Sequence, residues 1–154
     1  MGIARGIAAG VAVMSILASA PAIASGGASN QAEKLRRLDI MLMVTGLRCR
    51  TTADNFQADY GRFTTRHLPA LNAASTTLKG DLSRRYGPVG ANRALDKMSV
   101  KMANEYGQGH PWLSCGQLKQ ITRNLAQVKG TAPLIEAADQ LLARNGNPQI
   151  ALAR

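Results

Sequence analysis

Apolar residues recur three and four positions apart along most of this chain, and nowhere do they alternate with polar residues at a spacing of two. The first pattern covers one face of a helix, and the second would cover one face of a strand. The constraint is strict. The chain is expected to be all-α, a bundle of about four to five helices. Composition agrees, because Ala, Leu and Met dominate, aromatic residues make up only 4% and β-branched residues are not clustered.

The spacing places the elements. A first helix is expected from about Gln31 to Arg50, with Leu35, Leu38, Met41 or Leu42, and Val44 or Thr45 inward. Thr52 or Asp54 is positioned to cap the next helix. Phe56, Tyr60, Phe63 and His67 then fall on one face. Pro69 should end or kink that helix near Leu68, since a proline removes an N–H and disfavours helix in the residue before it. Leu71, Ala74 and Leu78 carry the pattern on to about Leu82, and Arg84-Arg85-Tyr86-Gly87-Pro88 reads as a turn. A third helix, about Val89 to Tyr106, sets Ala91, Leu95, Met98, Met102 and Tyr106 on one side. Arg93, Lys97 and Lys101 lie on the other, with Asp96 and Glu105 as surface ion partners. Gly107-Gln108-Gly109-His110-Pro111 breaks the pattern. A fourth helix follows from about Trp112 to Lys129, ended by Gly130, and Thr131 can cap a fifth with Pro133 in its first turn.

The N-terminal residues read as an export signal. Arg5 precedes an apolar run from Ile7 to Ala18, and Ala22-Ile23-Ala24 fits the A-x-A pattern of a cleavage site. Cleavage is expected after Ala24, because the earlier candidate Ala18-Ser19-Ala20 is followed by Pro21. The alternative is a retained anchor, but the run is shorter than the roughly 20 residues that span a bilayer and is interrupted by Gly10 and Ser15. No cysteine lies at the cut to mark a lipoprotein. The expected organisation is signal peptide 1–24, flexible leader 25–33, helical domain 34–145 and loose tail 146–154. The product would be periplasmic or secreted, with no transmembrane anchor after cleavage.

Export bears on Cys49 and Cys115, the two cysteines of the chain. In an oxidising compartment an even pair in a small domain forms a disulfide. Here it would join the end of the first helix to the start of the fourth. The loop is long, and chain entropy assigns such a bridge roughly 4 kcal/mol. Export also narrows the meaning of the net charge of +10, of which only Arg5 lies in the signal. A basic exported protein is drawn to an anionic envelope component or an acidic protein, and nucleic acid is not expected.

Catalytic and cofactor patterns are missing. The two histidines, His67 and His110, form no H-x-x-x-H or H-E-x-x-H, so no metal site is expected. Neither C-x-x-C, nor G-x-S-x-G, nor a P-loop, nor a dinucleotide fingerprint is present, and no cofactor is expected. His110 lies five positions before Cys115, but a disulfide would leave no thiolate for it to activate. The positive lead is the stripe Arg93, Lys97, Lys101, with Arg84 and Arg85 upstream, and it lacks matched acids over most of its length. His110 and Trp112, in the 107–112 turn, are the other candidate binding residues.

Two segments carry a resemblance. Asp39-Ile40-Met41-Leu42-Met43-Val44-Thr45-Gly46-Leu47-Arg48-Cys49-Arg50 and Met102-Ala103-Asn104-Glu105-Tyr106-Gly107-Gln108-Gly109-His110-Pro111-Trp112-Leu113-Ser114-Cys115 resemble a small family of exported proteins of Gram-negative bacteria. The likeness runs from about Leu35 to Leu142. Some members carry the name S-adenosyl-L-homocysteine hydrolase. That enzyme is several times longer, is cytoplasmic and binds NAD through a Rossmann fold, and none of its fingerprint stands in this sequence. The resemblance therefore brings no catalytic residue; it implies an exported α-helical domain with one cysteine pair. Three functions follow as expectations. The first is non-enzymatic binding of an anionic surface or protein partner. The second is an unrecognised enzyme with a site near the 104–112 turn, involving Asn104, Tyr106, His110 and Trp112. The third is a periplasmic immunity or inhibitor protein.

Overall fold

The computed structural model describes residues 23–143. They form four helices: α1 (Ile23–Cys49), α2 (Gln57–Tyr106), α3 (Cys115–Leu125) and α4 (Ala132–Leu141). The described residues contain no strand. Most of the expected signal segment and the tail 146–154 lie outside them.

The central element is α1, which packs against each of the other three helices. Ala32, Leu35, Leu38, Met41, Leu42 and Cys49 are buried along it at helical spacing. Thr45 is buried in the same stripe, and its hydroxyl donates to the Met41 carbonyl at 2.7 Å. Thr122 in α3 does the same to Leu118 at 2.7 Å, so neither buried hydroxyl lacks a partner. The helix starts earlier than expected. Residues 25–33, read as a flexible leader from their Gly, Ser and Asn content, are helical, and the expected cut after Ala24 falls in the first turn of α1.

Helix α2 doubles along α1 in two limbs. Gly87 has φ 72° and ψ 168°, a conformation outside the helical region, and it divides 57–86 from 88–106. Only glycine enters that region without strain, and Pro88 further disfavours helix at position 87. The first limb runs antiparallel to α1: Phe56, just before it, packs near Gly46, and the Tyr60 hydroxyl donates to Asp39 Oδ1 at 2.9 Å. The second limb runs parallel to α1, with Arg36 donating to Ser99 Oγ (3.1 Å from Nη2) and Arg48 donating to the Gly107 carbonyl at 3.4 Å.

The expected aromatic face is present. Phe56, Phe63 and His67 are buried and Tyr60 is half-buried. The expected interruption at Pro69 is not. The helix passes through it because Thr65, Leu68 and Pro69 all lie on the exposed side, where water can take the carbonyl that proline leaves unpaired. The cap of α2 also differs. Thr52 instead turns back to the Cys49 carbonyl (2.8 Å), and Asn55 Oδ1 accepts the Gln57 N–H at 3.0 Å.

The short helices close the bundle. A capping box opens α3, with Ser114 and Gln117 bonded reciprocally. This helix ends at Leu125, not near Lys129. Thr131 stands before α4 without a side-chain cap bond. Cys49 and Cys115 are bonded, with Cα atoms 5.8 Å apart, and tie the end of α1 to the start of α3. Among the described residues no helix is long and apolar enough to cross a membrane.

Candidate functional site: a basic groove along the second limb of α2

The second limb is fixed to α1 by polar contacts on one flank. Arg37 pairs with both Glu105 and Glu33, the latter at 3.4 Å, while Arg36 holds Ser99. The limb's apolar side packs inward, with Ala91, Met102 and Tyr106 buried. Between these contacts and the end of the first limb an open groove remains, of about 1240 Å³. Leu82 and Met102 form its buried lining, and Arg85, Arg93, Lys97 and Lys101 stand along it.

Its charge is unbalanced. Glu33 and Glu105 also line the groove, and Arg37 engages both. Arg85, Arg93, Lys97 and Lys101 make no ion pair or hydrogen bond with another described residue. Glu105 thus pairs across to α1 and not along its own helix, as the sequence suggested. Arg84 is not part of the groove lining and is paired with Asp81. Four of the five expected basic residues therefore share one concave surface, and the fifth flanks it.

His110 and Trp112 lie elsewhere. Each histidine closes a short helix: His67 Nε2–H donates to the carbonyl of Leu125, the last residue of α3, at 2.8 Å, and His110 Nε2–H donates to that of Leu141, the last of α4, at 2.9 Å. These carbonyls have no partner within their helices, so the bonds satisfy groups that would otherwise need water. His110 Nδ1 accepts the Trp112 backbone N–H at 3.4 Å, and the two rings meet edge to face at 4.6 Å between centroids. Burial holds the His110 imidazole below its ordinary value, although the Leu141 bond opposes this. With both ring nitrogens engaged in hydrogen bonds, His110 offers no free base.

Other polar groups also serve the fold. Burial pushes the Asp39 carboxyl up, against the opposing effects of the Tyr60 hydroxyl and Arg36. Burial, then the Asp39 charge, pushes the Tyr60 phenol up. Asp59 is buried between Arg62 (2.8 Å) and Arg123 (3.5 Å). No group of three or more His, Cys, Asp or Glu side chains is placed to hold a metal among the described residues, and no free thiol is found there.

Sequence reasoning missed Arg37 in the groove, and Tyr86, Val89 and Val100 as exposed apolar neighbours of the basic stripe. The valines were accessible in principle. At about 100° per residue, Val89 and Val100 fall roughly 40° and 20° to one side of Arg93, so they adjoin the arc of Arg93, Lys97 and Lys101. No protein-family model, curated protein or solved structure matches this chain.

Proposed function

We propose that this protein acts by binding, as an exported helical protein whose groove takes an anionic component of the cell envelope. The observation that carries this reading is the set of Arg85, Arg93, Lys97 and Lys101 along one groove whose two carboxylates are already engaged by Arg37. Unneutralised cations on one concave surface focus a positive potential and draw an anion to it. Two further observations support the setting. The N-terminal run has the form of an export signal, and the Cys49–Cys115 bridge suits an oxidising compartment.

The test is local charge reversal. Arg93→Glu, Lys97→Glu and Lys101→Glu together should lower the affinity for a soluble polyanion, such as long-chain polyphosphate, at least tenfold at 0.1 M salt. Arg66→Glu, Lys79→Glu and Lys129→Glu change the net charge equally on exposed positions outside the groove and should cost much less. Equal losses from the two sets would mean that overall charge governs binding and the groove does not.

A further inference from the structure

We infer that the anionic partner is the surface of a lipid bilayer, and that the protein docks on it through the elbow of α2. This rests on the anion-binding reading above and adds to it the apolar side chains that a soluble polyanion would not use.

The elbow lies at one end of the bundle. Arg36 meets Ser99, and the second limb runs parallel to α1. Going back from Ser99 to Pro88 covers about 16 Å of helix, and from Arg36 to Ile23 about 20 Å, at about 1.5 Å per residue. Gly87 and Pro88 therefore stand near the level where α1 begins, while the disulfide is at the opposite end of α1.

At this end the side chains are of two kinds. Tyr86 is 61% exposed and Val89 is 88% exposed, on either side of the Gly87–Pro88 step. Gly90 lets the step stay tight, since a Cβ there would lie 3.0 Å from Tyr86 Cβ. Arg84, Arg85 and Arg93 surround the pair in sequence, and the face continues along the limb as Lys97, Val100 (58% exposed) and Lys101. Isolated exposed valines are unremarkable, but here the apolar groups are interleaved with Arg85, Arg93, Lys97 and Lys101, which have no ion-pair partner among the described residues.

That combination fits a membrane interface. Lysine and arginine pair with lipid phosphates while their stems lie along apolar surface, and tyrosine and valine enter the boundary between headgroups and acyl chains. Tyrosine in particular prefers this depth. A soluble polyanion in the groove would satisfy the cations and leave Val89, outside the lining, in water.

The experiment uses the full chain and large vesicles of phosphatidylcholine with or without about 30% phosphatidylglycerol, which makes the surface anionic. Sedimentation should show preferential partition onto the anionic vesicles. Arg93→Glu, Lys97→Glu and Lys101→Glu should reduce that preference about tenfold or more. Tyr86→Ser, Val89→Ser and Val100→Ser should reduce it severalfold, and Val89→Ser alone, outside the groove lining, should leave polyphosphate binding intact. A local probe reports on the elbow itself: Val89→Trp in a Trp112→Phe background should be quenched by brominated acyl chains on anionic vesicles. Polyphosphate binding without quenching, or with no effect of the serine variants on vesicles, would overturn the bilayer and leave the anion-binding groove. Failure to bind either probe would overturn both. Circular dichroism and an intact disulfide establish that each variant is folded.

Discussion

The two histidines illustrate how a residue's chemistry is set by where its ring nitrogens point. His67 and His110 each donate to the final carbonyl of a short helix, and a net contribution of about 1 kcal/mol for each bond is the usual scale. For His110 this has a consequence in pH. Its pKa in the folded chain lies below its ordinary value of 6.5 because burial disfavours the imidazolium. The unfolded chain then binds the proton more readily. The stability that His110 contributes is fully present above pH 6.5 and is lost as the pH falls through that value toward the lowered one. Asp39, pushed up, acts with the opposite sign, so the difference between two proteins is the useful quantity. Urea unfolding of the wild type should show stability declining between about pH 7 and 5.5, and His110→Gln should show a smaller decline. Identical slopes would remove His110 as the titrating group.

At the scale of the helix, α2 contains two prolines with opposite effects. Pro69 sits in continuous helix on the exposed side, so Pro69→Ala restores an N–H without disturbing a packed surface. It should stabilise the protein by about 1–3 kcal/mol. Gly87→Ala, at φ 72° and ψ 168°, should destabilise it by about 1–3 kcal/mol. Thermal or urea unfolding of the two variants checks the pair, and a neutral Gly87→Ala would mean that the elbow relaxes without strain. The same comparison explains what was legible in the sequence. The face Phe56, Phe63, His67 and the stripe Arg93, Lys97, Lys101 are set by local periodicity, and they lie where spacing puts them. Pro69 misled because its cost depends on whether water reaches the freed carbonyl, which is a property of the packed molecule. The Gly and Ser content of residues 25–33 misled in the same way, since low propensity was read without a partner surface. The groove needed more still: Arg37 reaches Glu105 across 68 residues, and no spacing rule encodes that approach.

The whole molecule separates what holds it together from what it presents. One end of α1 carries the bridge to α3, near the His110 corner through Arg48, which donates to Gly107. The groove and elbow depend instead on the second limb, fixed to α1 by Arg36 and Arg37. The bridge closes a loop of 66 residues, and constraining the unfolded chain to that extent is worth roughly 4 kcal/mol. For a domain of this size such a loss corresponds to a fall in Tm of about 15 °C. Cys49→Ser with Cys115→Ser should therefore melt markedly earlier. Where circular dichroism shows the double variant still folded in the cold, polyphosphate affinity should equal that of the wild type. The polar contacts that fix the groove's limb to α1 run through Arg36 and Arg37, and the bridge joins α1 to α3 rather than to the limb that carries the cations. A folded double variant with weakened polyanion binding would contradict this separation, and would place the disulfide among the elements that set the geometry of the groove.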